Sequence, residues 1–234
     1  GLDRFDEARD HLTALIEEAP DDRRAYLALS GVYSEQKDFQ AMADLLDQAV
    51  ARIGPVASAE DWGIFYRRGI AYERLKQWDK AEPDFKRALE LYPNQPQVLN
   101  YLGYSWIDQG INLEEGLDLI QQAVDQRPDD GYIVDSLGWA YFRLGRYDDA
   151  VRELERAVVL DTGDPTINAH LGDAYWQVGR KLEAIYQWKK ALSDDPPEDL
   201  VPELNDKIAN GLTLEDDKTP LAKAEGDGDA VKTP

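Results

Sequence analysis

The sequence predicts an all-α chain of stacked helical hairpins, and three observations carry that prediction. Between Gly131 and Asp164 small and apolar residues fall at helical spacing twice over: Leu137, Gly138 and Tyr141 in a first helix, then Ala150, Leu154 and Ala157 at i, i+4 and i+7 in a second. The two are parted at Leu144-Gly145-Arg146, and the second stops at Asp161-Thr162-Gly163-Asp164, where glycine and aspartate favour turns and caps. Third, the same spacing recurs on both sides. A lone hairpin of this length cannot bury its apolar face, so the repetition is what lets it fold.

With Gly131 as position 1, small or apolar residues return at positions 7, 8, 11, 20, 24 and 27, often with proline at 32. The next unit supplies Leu171, Gly172, Tyr175, Ala184, Trp188, Ala191 and Pro196, and the preceding one Leu102, Gly103, Trp106, Gly116, Ile120, Ala123 and Pro128. Before these stand Gly69, Tyr72, Ala81, Phe85, Ala88 and Pro93. This pattern resembles the tetratricopeptide repeat, W-x2-L-G-x2-Y followed by A-x3-F, A and P over roughly 34 residues. The resemblance implies a right-handed α-solenoid of helix-turn-helix repeats.

In chain order, Phe5, Ala8, Leu12 and Leu15 match only a second helix, so residues 1–22 read as half of a truncated repeat and the chain as the C-terminal part of something longer. The apolar face of that half-repeat predicts pairing of two copies of the chain. Five repeats follow, at 23–61, 62–95, 96–130, 131–164 and 165–198. The first is weaker, carries Leu29, Ser30, Tyr33, Met42, Leu46 and Ala49, and ends in a longer connection, Ile53-Gly-Pro-Val-Ala-Ser, which serves either as a binding loop or to set the angle between repeats. Pro83 lies near the first turn of a helix, where some backbone N–H groups lack helical partners, and predicts a mild kink at most. Residues 199–212 read as a capping helix with Gly211 as its stop, and 213–234 as an acidic mobile tail.

The formal net charge of −21 argues against general affinity for nucleic acid or an anionic membrane surface. Residues 194–234 hold 12 Asp plus Glu and 4 Lys, a net of −8, so the remaining −13 is spread through the repeats. A solvated surface explains most of it, and attraction of a basic partner is the sharper reading. No apolar run reaches about 18 residues, so the segment predicts no membrane insertion. With no cysteine, disulfide and thiolate chemistry within the chain are excluded.

Nothing in the chain predicts catalysis, a metal or a cofactor. The two histidines, His11 and His170, stand on separate repeats without a second histidine at ligand spacing, and read as packing or hydrogen-bonding residues. There is no G-x-S-x-G, G-x-x-x-x-G-K-[ST] or G-x-G-x-x-G. Glu225-Gly-Asp-Gly-Asp alternates carboxylates without full calcium-loop spacing.

What remains is recognition by surface. The resemblance implies that first helices line a concave groove, with positions 2, 5, 9, 12 and 13 toward the ligand. Projected onto this chain, the partner-binding residues are Tyr66, Asn100, Tyr104, Tyr132, Asp135, Trp139, Phe142, Asp173 and Trp176. Tyr66 and Tyr104 read as partner anchors, since aromatics supply area with few torsions to freeze. For Trp139 and Trp176, anchoring and packing against neighbouring helices stand open. Trp78, Trp106 and Trp188 read as core. The Lys-Asn-Arg clamp of heat-shock co-chaperones is argued against, because the five first helices contain no lysine and Asn100 and Asn168 lack its cationic frame. Such a groove suits a protein or peptide with apolar anchors and some basic character.

The leading function is therefore a non-catalytic scaffold or adaptor. The run from Leu99 through Val158 is similar to bacterial envelope tetratricopeptide adaptors, some of them outer-membrane lipoproteins, which implies a role in envelope assembly or as a protease adaptor, in the periplasm or at the outer membrane. The alternatives are a substrate-selecting module of a larger enzyme, a cytoplasmic location, and an acidic chaperone whose binding fades with salt.

Overall fold

The computed structural model describes residues 2–212, with side chains from Arg4 onward. The expected tail over 213–234 lies outside the described residues. All regular structure among the described residues is helical. Contacts divide the chain into two compact units, one up to Val98 and one from Leu99.

The first unit holds α1 (Leu2–Glu18), α2 (Arg23–Glu35), α3 (Phe39–Ile53), α4 (Trp62–Arg74) and α5 (Trp78–Leu91). Here α2 packs on α1, α3 and α4, while α4 also packs on α3 and α5. The helix α6 (Pro96–Gln109) starts at the end of this unit and leads into the second, which continues with α7 (Leu113–Gln126), α8 (Gly131–Arg143), α9 (Tyr147–Leu160), α10 (Pro165–Gln177), α11 (Lys181–Ser193) and α12 (Leu200–Asn210). Each of α8, α9, α10, α11 and α12 packs on the helix before it, and α8 also touches α10.

Aspartates start these helices by satisfying N–H groups that have no helical acceptor. Asp22, Asp38, Asp130 and Asp164 accept from the backbone of Arg24, Ala41, Ile133 and both Thr166 and Ile167. Pro165, at the first helical position, lacks a donor where none is needed. Four of the hairpins close tightly because one position of the first helix has no side chain. A Cβ on Gly103 would stand 2.6 Å from the Gly116 carbonyl oxygen, and one on Gly138 would stand 2.5 Å from Leu154 Cγ. Phe85 and Trp188 fill the same role against Gly69 and Gly172. In the first repeat buried Ser30 takes this place, with its hydroxyl returned to the Leu27 carbonyl.

The long connection before α4 folds back onto the first unit. Ser58 and Asp61 cap a short 3-10 turn, Ala59–Asp61, with Ser58 N donating to Asp61 Oδ2 at 2.7 Å. Asp61 is fully buried and also receives Arg23 from the start of α2. Helix α5 runs through Pro83, whose ring stays exposed. Trp106 and Trp188 are buried, and half-buried Trp78 lies against Phe85 at 6.2 Å between ring centroids.

Candidate protein-binding surface

In the second unit, α8 and α10 bring several of the candidate groove residues together, but mostly inward. Trp139 is 1 % exposed and Phe142 3 %. The Trp139 indole is stacked between the Phe142 ring, 4.8 Å away, and the His170 imidazole, 4.2 Å away, with interplanar angles of 9° and 17°. His170 Nδ1 in turn donates to both Asp135 oxygens at 3.0 Å. Asp135 is thus used within the fold, as the acceptor that orients a ring from the next repeat.

Asp173 is also internal. Its Oδ1 accepts from Trp188 Nε1 at 2.9 Å and its Oδ2 from Lys207 Nζ at 2.7 Å. Burial alone would push the Lys207 ammonium down, but the carboxylates of Asp173 and Glu203 outweigh it and hold the group above the ordinary lysine range. This pair locks α12 onto α10. Trp176, half-buried, packs on Trp188 at 5.3 Å and carries the Lys181 ammonium 3.6 Å above its ring. Gly211, at a φ of +83°, lies so close to the indole that a Cβ there would collide with it.

Four of the expected groove residues are thus packed inside the fold. His170 from the following repeat lies against Asp135 and Trp139, Trp188 and Lys207 lie against Asp173, and Phe142 is enclosed by Trp139 and Tyr147 of its own repeat. Asn100 and Tyr104 are half-buried, and Asn100 Oδ1 has no hydrogen-bond partner among the described residues. Tyr132 is open, 59 % exposed at the start of α8. Its phenol is pushed up by burial and then by the carboxylates of Asp164 and Asp161.

In the first unit, half-buried Tyr66 belongs to a group of aromatics that the repeat pattern did not single out. Trp62 stacks on Tyr66 at 6.1 Å and on Tyr92 at 6.2 Å, with interplanar angles of 29° and 23°. Trp62 is half-buried and Tyr92 is 47 % exposed, so a row of three rings runs from the interior to the surface. Tyr66 anchors its inner end against Phe85 at 6.2 Å. Sequence reading missed Trp62 and Tyr92 because they sit at the ends of their helices, outside the positions that define the repeat. The signal available was a tryptophan opening a helix directly after an overlong connection.

Among the described side chains of α1, Leu15 is the large apolar residue left exposed, while Phe5, Leu12 and Ile16 are half-buried. One such residue falls far short of the roughly 1,200 Å² that a stable interface buries. The expected pairing of copies through this helix gains no support from it. No described helix is long and apolar enough to cross a membrane, and the described residues hold no group of acidic, histidine or cysteine side chains able to grip a metal.

Comparison with known proteins gives matches along most of the chain. Residues 1–58 and 63–95 match the family described as tetratricopeptide repeat, and residues 138–179 the one described as TPR repeat. The TPR repeat-containing protein PA4667 of Pseudomonas aeruginosa is 32% identical over 160 residues, which is 66% of this chain. A lipoprotein NlpI homolog of Haemophilus influenzae is 30% identical over 120 residues, half of this chain. The chain spans 26% and 37% of the length of these two relatives. Among solved structures, the APC/C hetero-tetramer Cut9–Hcn1 aligns with a TM-score of 0.74 at 18% identity, over 91% of this chain and 40% of that one. At that identity the likeness speaks to fold.

Proposed function

The chain is a tetratricopeptide-repeat protein, and from that premise we propose that it acts as a non-catalytic adaptor holding a segment of a partner protein against its first helices. The carrying observation is the row Tyr66–Trp62–Tyr92, which leaves aromatic area at the surface that the repeat core does not require. Rings of this kind contribute to binding by burying large area at small entropic cost. In this reading Tyr66, Trp62 and Tyr92 are the contacts of the first unit, and Asn100, Tyr104, Tyr132 and Trp176 those of the second. Asp135, Trp139, Phe142 and Asp173 position the helices that carry it.

The same proposal places the adaptor in the bacterial envelope, in assembly or in delivery to a protease. The likeness to a protein named as a lipoprotein supports this. Capture of partners from a bacterial envelope fraction, identified by mass spectrometry, tests it. The paired change Trp62→Ala and Tyr92→Ala should reduce recovery of the specific partners about tenfold or more, while Tyr186→Ala on α11 leaves recovery unchanged. Equal recovery with all three proteins would sink the reading.

A further inference from the structure

Within each unit the joints between consecutive repeats are of two kinds. At each joint a first helix packs on the second helix of the repeat before it: α2 on α1, α4 on α3, α8 on α7 and α10 on α9. The first helix carries a tyrosine at position 11, which is Tyr33, Tyr72, Tyr141 or Tyr175 in turn. The preceding second helix offers, at position 25 in the repeat register, Thr13, Asp47, Gln121 or Glu155.

Where position 25 is a carboxylate, the two helices are latched. Tyr72 Oη donates to Asp47 Oδ1 at 2.7 Å, and Arg68 Nη1 reaches the same oxygen at 2.9 Å. Tyr175 Oη donates to Glu155 Oε1 at 2.8 Å, and Arg180 Nη1 also reaches that oxygen at 2.8 Å, its guanidinium 3.9 Å from the centre of the Tyr175 ring. Both phenols are pushed up to about 12, by burial first and then by the hydrogen bond to the carboxylate, so the donated proton stays on the phenol. Hydrogen bonds to an ionised acceptor are roughly twice as strong as neutral ones.

The joint between α7 and α8 has every part of this latch but one. Arg146 lies 4.4 Å from the centre of the Tyr141 ring and pairs with Asp149, as Arg180 lies over Tyr175 and pairs with Glu183 one repeat later. Position 25, however, is Gln121, whose Nε2 turns to Asp125 of its own helix at 2.9 Å. Tyr141 Oη makes no hydrogen bond among the described residues, and Tyr141 is half-buried where Tyr72 and Tyr175 are buried. The joint between α1 and α2 repeats the pattern. Thr13 donates its hydroxyl to the Arg9 carbonyl, Tyr33 Oη has no partner among the described residues, and both residues line a cavity of about 520 Å³ between α1 and α3. Buried Tyr26 lines the same cavity, its hydroxyl without a hydrogen-bond partner among the described residues.

We propose that a carboxylate at position 25 sets which joints of the array are stiff, and that the joint between α7 and α8 is the compliant one of the second unit, where its hairpins part first when a bound partner changes their angle. Repeats touch only their neighbours, so an array opens at its weakest interface. This goes beyond the adaptor reading and stands without it.

Hydrogen exchange of the whole chain, read by mass spectrometry, tests this by adding the latch where it is missing and removing it where it is present. In the natural chain α7 should exchange faster than α9. Gln121→Glu is made together with Asp125→Ala, because carboxylates one helical turn apart repel, and Asp125→Ala alone is the reference. The added carboxylate should slow exchange in α7 and α8 about tenfold, the effect of one charge-assisted hydrogen bond. Tyr141→Phe in the same background should cancel that gain. Glu155→Gln should speed exchange in α9 and α10 about tenfold and leave α2 to α5 unchanged; should it fail to fold, Tyr175→Phe, which removes only the hydroxyl, makes the same comparison. Equal protection of α7 and α9 in the natural chain overturns the compliant joint. No gain from the added carboxylate, a gain that survives Tyr141→Phe, or acceleration that extends to α2 to α5 overturns the latch.

Discussion

The first helices of the two units show opposite uses of the same kind of residue. In the second unit, aromatic and charged groups at groove positions are absorbed by the fold: Trp139 lies between Phe142 and His170, and Asp135 and Asp173 serve as internal acceptors. In the first unit, the row from Tyr66 to Tyr92 reaches the surface. Membership of the repeat therefore does not decide whether a groove position binds. What differs is how far neighbouring helices cover it: Phe85 reaches a half-buried Tyr66 in the first unit, whereas His170 and Lys207 lie over buried Trp139 and Asp173 in the second.

The sharpest way to break this contrast is to remove one ring from each side. Trp139→Ala takes away a fully packed side chain and should cost about 3–5 kcal/mol. The loss should appear in thermal melting and in faster amide exchange along α8 and α10. Tyr92→Ala, at the exposed end of its row, should stay within about 0.5 kcal/mol. Comparable losses at the two sites would mean that the first unit's row is structural too.

A smaller effect is expected from α12. Lys207 is 4 % exposed and Asp173 2 % as side chains, so Lys207→Met leaves a carboxylate buried with only the Trp188 N–H. Breaking such a pair from one side costs about 3 kcal/mol. The pH dependence has a definite sign. The folded ammonium titrates above the ordinary 10.5, so its contribution is fully present below pH 10.5 and is lost as pH rises through the folded value. Exchange protection in α12 should fall in that alkaline range in the natural chain and be insensitive to it in Lys207→Met. Protection that is unchanged by either would show that Leu204 and its apolar neighbours dock α12 without the pair.

Much of the hairpin geometry was legible because it depends on residues close in sequence. Gly138 with Leu154, and Gly172 with Trp188, are 16 apart in each repeat, a spacing that the pattern states directly. The fate of Trp139 was not legible in the same way. Helical periodicity says which face a residue occupies, but its cover, His170, comes from the next repeat, and that ring is aimed by Asp135, 35 residues away. Trp62 shows the reverse failure: it lies outside the periodic positions, and its role emerges only when Tyr92, at the end of α5, comes to lie beside it.

The turns within the hairpins carry the smallest of these contrasts and can be tested with the least disturbance. In the second unit Gly110, Gly145 and Gly179 take positive φ values of 72°, 73° and 84° where the first helix of each repeat ends. The first unit places Lys37 and Lys76 at the corresponding step, with φ of 57° and 60°. A residue with a Cβ loses about 1–2 kcal/mol in that region through contact with its own carbonyl, whereas glycine enters it freely. Both lysines are exposed, and among the described residues Lys76 Nζ forms no ion pair that its loss would break. Lys76→Gly should therefore stabilise the first unit, by about 1 kcal/mol once the greater freedom of glycine in the unfolded chain is set against the relieved strain. The same change written in reverse, Gly145→Lys, should destabilise the second unit by about 1 kcal/mol. If Lys76→Gly is neutral or harmful while Gly145→Lys is costly, the two turns are not equivalent, and the lysine holds a contact with the helix end that outweighs its backbone strain.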